Sequence, residues 1–139
     1  AEPIEPSVPE PSLEPVGYRW RCQIQENAKQ LAFHHVIPEM NHNELVGWTG
    51  GDERFAPIFF NTGDLHPRNY RRFEISKTAI EKKCGKVFDV SAKGDSFIER
   101  SIYLINIVDW ASYYLCEMNG ADIIDIEIID YLKGELAKF

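Results

Sequence analysis

Residues 18–36, YRWRCQIQENAKQLAFHHV, decide how the chain is assigned to a fold class. Tyr18 to Gln25 alternates, with Tyr18, Trp20, Cys22 and Ile24 on one side, and this period of two predicts a strand. Glu26-Asn27 breaks the alternation. Ala28 to Val36 then has helical composition and stops at Ile37-Pro38, since a residue before proline is steered out of the helical region. A strand feeding directly into a helix is the building unit of a parallel sheet, whose neighbouring strands need a crossover between them.

The same alternation of elements continues downstream. Ala56 to Thr62 (APIFFNT) is a short apolar run before Gly63-Asp64 and reads as a buried strand. Arg68 to Lys83 is charged and amphipathic, with Tyr70, Phe73, Thr78 and Ile80 near helical spacing, and Cys84-Gly85 ends it. Lys86 to Ser91 (KVFDVS) is a third strand candidate. Gly94-Asp95-Ser96 supplies a helix start, after which Ile98, Ile102, Ile105, Val108, Ser112 and Leu115 recur at three or four residues until Asn119-Gly120. Ile123 to Phe139 reads as a last amphipathic helix. Strands separated by helices imply an α/β protein, a three-layer αβα sandwich around a mainly parallel sheet.

Upstream, residues 1–16 carry Pro3, Pro6, Pro9, Pro11 and Pro15, four glutamates and no positive charge. That composition reads as an extended connector, with the domain proper at 17–139 and a further unit expected ahead of it. With 139 residues, 44% hydrophobic, there is material for one core. The net charge of −7 argues against nucleic acid as the main partner, yet it does not exclude a phosphorylated small molecule. Cys22, Cys84 and Cys116 are odd in number and widely spaced, as expected of reduced thiols in the cytoplasm. No apolar run approaches the roughly 20 residues of a membrane span.

Two polar segments stand out. Gln25-Glu26-Asn27-Ala28-Lys29 follows the first strand candidate, where ligands of open parallel sheets bind. Taken alone, Glu26 is better explained as a helix-start carboxylate favoured by the macrodipole. Pro38-Glu39-Met40-Asn41-His42-Asn43-Glu44 packs two acids, two amides and an imidazole into seven residues. Such groups are costly to bury unless they bond to each other or to a polar ligand, and a polar turn is an equal alternative. The following Thr49-Gly50-Gly51 matches no phosphate-loop pattern. His34-His35 reads as packing rather than metal binding, His66 as a loop or helix-start residue, and Arg68, Arg71 and Arg72 as a solvated helix face. Trp110, Tyr113 and Tyr114 read as core or subunit interface.

Together, QENAK and PEMNHNELVGW resemble the bifunctional phosphoglucose/phosphomannose isomerases of archaea and bacteria, built from two sugar-isomerase (SIS) halves of flavodoxin-like fold. The resemblance runs from about Tyr18 to Phe139, the C-terminal half, and Ile129-Asp130-Tyr131-Leu132-Lys133 extends it. It implies that Glu26 is the base moving a proton between C2 and C1 through a cis-enediol. It implies that His42 assists ring opening from the neighbouring subunit of a homodimer, and that Lys133 approaches the ring oxygen. Asn27, Asn41, Asn43 and Glu44 are then expected to bind the phosphorylated hexose. Carboxylate and imidazole are suitable types for this chemistry, which needs neither cofactor nor metal.

Two departures bear on these implications. The family grips the phosphate mainly through its N-terminal SIS half, and nothing in these residues resembles that half. The dual-specificity branch carries a threonine shortly before the C-terminal lysine, whereas Ile123-Ile124-Asp125-Ile126 stands here and no threonine follows Thr78. Phosphoglucose activity is therefore expected ahead of phosphomannose activity. The alternative reading is a non-catalytic SIS module that binds a sugar phosphate as a regulatory signal.

Overall fold

The computed structural model describes residues 13–139, and its first element corrects the opening assignment. Glu14–Ala28 is a helix, α1, where the alternation predicted a strand. Leu13, Val16, Trp20 and Ile24 recur at three and four residues and face one core. That stripe begins before Gly17, inside the stretch assigned to the connector. Pro15 is tolerated because the first helical turn asks for no N–H from it. Of the expected connector 1–16, residues 1–12 lie outside the described residues, and the remainder enters α1.

The helix expected at 28–36 is corrected as well. Lys29 adopts a left-handed conformation (φ 54°) that ends α1, and its ammonium donates to the Glu26 carbonyl at 2.7 Å. Residues 30–36 are in neither helix nor strand ladder, and their exposure alternates. Leu31, Phe33 and His35 are exposed, while Ala32, His34 and Val36 are half-buried, which is the period of an extended chain. Gln25 ties the stretch to α1, its Nε2 donating to the Ala32 carbonyl at 3.0 Å.

The two later strands are where the sequence puts them. β1 (Ile58–Asn61) and β2 (Phe88–Ser91) pair in parallel, Ile58 opposite Phe88 and Asn61 opposite Ser91. Pleating sends Phe59 and Phe60 to opposite faces. Phe59 meets Phe73 of α3 (Pro67–Cys84) at 5.1 Å between ring centres, in a core with Met40, Ile80 and Cys84. Phe60 meets Trp20 of α1 at 4.8 Å, in a core with Leu104 and Val108 of α4 (Phe97–Asn119). The layers are thus α3, the sheet, and the α1–α4 pair, an α/β sandwich.

Polar bonds lock α1 to α4. Trp20 Nε1 donates to the Leu104 carbonyl at 2.9 Å, Gln23 and Arg19 reach Asp109, and Asn119 Nδ2 donates to the Ala28 carbonyl. At its start, Ser96 and Glu99 cap α4 reciprocally, and Gly120 (φ 62°) closes it. The expected buried face of α4 is only partly right. Ile98 and Ile102 are 67% and 60% exposed, and the buried line is Leu104, Val108, Ser112 and Cys116. The helix is apolar around much of its girth, so spacing alone did not select a side. Trp110 stacks on Tyr114, and Tyr113 meets both edge-on, at the surface rather than in a core. His66 starts α3, its Nδ1 accepting from the Arg68 N–H.

The last helix, α5 (Glu127–Leu136), is shorter than expected. Asp122 and Asp125 side chains accept the N–H groups of Ile124 and Glu127, so these residues spend themselves on turns. None of the residues in α5 is buried.

Candidate active site

Glu26 stands in the last turn of α1, not after a strand and not at a helix start. The macrodipole places partial negative charge at this end, so it disfavours the carboxylate rather than accounting for it. The side chain is exposed, and among the described residues its carboxylate has no hydrogen-bond partner. It lines a groove of about 500 Å³ with Cys22, Gln25 and Lys29 on one side and Asp125 and Glu127 on the other. Its neighbour Asn27 is turned to a different task. Asn27 Nδ2 donates to the Ser112 hydroxyl at 2.8 Å, which fixes the end of α1 on α4.

The second segment forms a polar knot around a 3₁₀ turn, Glu39–His42, and a short helix α2, Glu44–Gly47. Asn43 caps α2, its Oδ1 accepting from the Glu44 N–H at 2.6 Å while its Nδ2 donates to Glu39 at 3.3 Å. Asn41 Nδ2 donates to the buried Ser76 hydroxyl of α3 at 2.7 Å. The Glu44 carboxylate accepts from Trp48 Nε1 at 3.0 Å and faces His35 Nδ1 at 2.9 Å. The alternatives open for this cluster are thereby resolved in part: these groups bond to each other and to adjoining elements. His42 is the exception. It is exposed on the turn, and among the described residues its ring has no hydrogen-bond partner.

Lys133 lies on the exposed side of α5, 3.9 Å from Asp130. The groove beside Glu26 is lined by neither His42 nor Lys133, although the first turn of α5, the helix that carries Lys133, borders it. Sequence reasoning missed His35 and Trp48 as clamps on Glu44. The signal available was their spacing around the acid, with Trp48 four residues on, one helical turn away. His34 packs on Tyr18 at 5.7 Å between rings, and no group of three or more His, Cys, Asp or Glu that could hold a metal ion occurs among the described residues. The three cysteines are free thiols, with Cys84 and Cys116 buried. No helix among the described residues is long and apolar enough to cross a membrane.

The start of α4 is a natural anion site, but it is already filled. The Glu99 carboxylate accepts from the N–H groups of Asp95 and Ser96, each at 2.8 Å, and from the Ser96 hydroxyl. The Ser96 N–H, its hydroxyl and the Asp95 N–H hold the Glu99 carboxyl below its ordinary range.

Comparison with known proteins gives a consistent result. The family described as "Bacterial phospho-glucose isomerase C-terminal SIS domain" matches residues 7–136. A bifunctional phosphoglucose/phosphomannose isomerase of Aquifex aeolicus is 34% identical over 126 residues, covering 88% of this chain and 39% of the relative. One from Thermoplasma volcanium is 34% identical over 125 residues, with the same coverage of 88% and 39%. One from Caldicellulosiruptor bescii is 34% identical over 130 residues, 91% of this chain and 38% of the relative. The chain therefore spans about two-fifths of the length of these curated relatives. With the match running almost from end to end over a parallel αβα unit, the chain belongs to the bacterial phospho-glucose isomerase C-terminal SIS domain family.

Proposed function

We propose that this chain is the acid/base half of an aldose–ketose isomerase acting on glucose 6-phosphate and fructose 6-phosphate. One observation carries the reading. Of the seven side chains nominated by the motifs, Asn27, Asn41, Asn43 and Glu44 are bonded into the scaffold, while Glu26 and His42 keep their reactive atoms free. A general base needs an unengaged lone pair facing the proton it takes, and a group that donates to or accepts from the ring oxygen needs the same freedom.

In this mechanism Glu26 removes the proton from C2 of the open-chain aldose, leaving a cis-enediol, and returns it to C1. His42 assists ring opening and Lys133 approaches the ring oxygen. Asn27, Asn41, Asn43 and Glu44 hold the two segments in place and contribute substrate contacts through whatever bonding capacity remains. The reading includes a homodimer in which one subunit's His42 meets the other's Glu26. The phosphate is gripped by an N-terminal SIS half, in keeping with the start of α4 being filled by Glu99. Mannose 6-phosphate is the weaker substrate, since no threonine precedes Lys133 after Thr78.

The test is Glu26→Gln in the two-domain protein. Conversion of fructose 6-phosphate to the aldose is expected to fall by about 10²–10⁴-fold, with solvent deuterium no longer entering C1 or C2 of the sugar. Near-normal turnover would sink the assignment. Sugar-phosphate binding without any exchange in the unsubstituted protein would point to the regulatory module instead.

A further inference from the structure

The last turn of α1 is the least secure part of that helix, because its carbonyls have no intrahelical partner and helix ends fray. Glu26 sits there with a carboxylate that has no bond of its own. Where the carboxylate points therefore begins with how the backbone at Glu26 is held. A misplacement of about 1 Å at a reacting group can cost on the order of a hundredfold in rate. A base carried on such a helix end needs anchors from outside the helix.

Two side chains of α4 supply them, and both act on the residues just after Glu26. Ser112 Oγ accepts from Asn27 Nδ2 at 2.8 Å, and Asn119 Nδ2 donates to the Ala28 carbonyl at 2.9 Å. Neither bond is a local cap: the partners are 85 and 91 residues apart in sequence. Ser112 and Asn119 lie about two turns apart and so share one side of α4. Ser112 and Ala28 are fully buried, which places both anchors in the packed part of the contact. The Ser112 hydroxyl is itself oriented, since it donates to the Asp109 carbonyl at 3.0 Å and keeps a lone pair for Asn27. Neither Ser112 nor Asn119 lines the groove beside Glu26, so each reaches the site only through α1. The other free side chain is carried in the same way. Asn41, next to His42, donates at 2.7 Å to Ser76 of α3, a hydroxyl residue 1% exposed.

We propose that Ser112 and Asn119 are positioning residues for Glu26, holding the end of α1 on α4 so that the carboxylate meets C1 and C2 of the sugar from one fixed place. They touch neither the substrate nor the proton in transit. The inference rests on the reading of Glu26 as the base. It makes the rate of proton transfer depend on two α4 residues that belong to neither polar motif.

The experiment measures isomerisation by the two-domain protein and by its variants Ser112→Ala, Asn119→Ala, Val108→Ala and Glu26→Gln. Ser112→Ala and Asn119→Ala are each expected to lower kcat by about ten- to a hundredfold, with KM within about twofold of the parent. The primary isotope effect on kcat for glucose 6-phosphate deuterated at C2 is expected to rise, because proton removal by a misaimed base becomes the slow step. Val108→Ala loosens the packing of α4 on Trp20, away from the end of α1, and is expected to leave kcat unchanged. Added to Glu26→Gln, neither positioning substitution is expected to lower the residual rate further, since its effect passes through the missing carboxylate. Should Ser112→Ala fail to fold, Ser112→Cys takes its place, filling similar space with a weak acceptor. Each variant decides for its own residue. Normal kcat in both while Glu26→Gln loses turnover would overturn the positioning role and leave Glu26 as the base. Near-normal turnover in Glu26→Gln would overturn the base reading and this inference with it. A rate loss matched by Val108→Ala, or one that adds to the loss in Glu26→Gln, would make the two residues parts of the scaffold only and overturn the proposal.

Discussion

At Glu26 the helix works against the residue it carries. A carboxylate in the last turn faces the unpaired carbonyls of α1, and Lys29 satisfies the Glu26 carbonyl rather than the Glu26 side chain. Glu26→Gln is therefore expected to leave the thermal midpoint unchanged or slightly raised, while removing turnover in the two-domain protein. A clear fall in the midpoint by calorimetry would assign Glu26 a structural part instead. Asn27 is expected to behave in the opposite way. Asn27 donates to Ser112, a fully buried hydroxyl that itself donates to the Asp109 carbonyl, so Asn27→Ala removes one of its two hydrogen bonds and costs about 1 kcal/mol. A double-mutant cycle with Ser112→Ala, followed by urea unfolding, is expected to show a coupling of about 1 kcal/mol; zero coupling would deny the bond. The residue types and their spacing were legible in the sequence. Which of them stay free was not, because Ser76, Ser112 and His35 reach the two segments from other parts of the fold.

Elements were legible where local chemistry agreed with tertiary packing. α3, α4 and both strands lie close to their expected bounds, since Ser96, Gly85 and Gly120 punctuate the chain by their own conformational preferences. The stretch 18–36 was misread because two periods coexist in it. Tyr18, Trp20, Cys22 and Ile24 alternate, but Leu13, Val16, Trp20 and Ile24 form the stripe that is buried, and its first members sit among prolines. The helical composition of 28–36 is overridden by Lys29 and by the bond from Gln25 to Ala32. The capping box of α4 yields a prediction in pH. Glu99 has a folded pKa below its ordinary carboxyl range, chiefly through the Ser96 N–H, so the folded state binds its proton less readily than the unfolded one. Its contribution to stability is then complete above the ordinary carboxyl range and is lost as pH falls through the folded pKa. The stability advantage of the unsubstituted chain over Glu99→Gln, from urea unfolding, is expected to be full at about pH 7 and to shrink towards about pH 3. A gap that stays constant across that interval would show that the titration plays no part.

At the scale of the whole molecule, a thin sheet divides two cores that, among the described residues, share no buried residue. Val108 lies at 0% exposure with Leu104 and Trp20 on the α1–α4 face, and Ile80 lies at 1% with Phe59 and Phe73 on the α3 face. β1 joins them through the adjacent rings of Phe59 and Phe60, which point away from each other. Small deletions on the two faces should therefore be felt separately. Ile80→Val removes one methylene and is expected to cost about 1 kcal/mol. Val108→Ala removes two methyl groups and is expected to cost about 2 kcal/mol. In the double variant the two costs should add to within about 0.5 kcal/mol by denaturant unfolding, as for sites without shared partners. An apolar groove beside β1 is lined from both cores, with Trp20 on one side and Phe73 on the other. Coupling well above about 0.5 kcal/mol would mean that the sheet does not separate the cores.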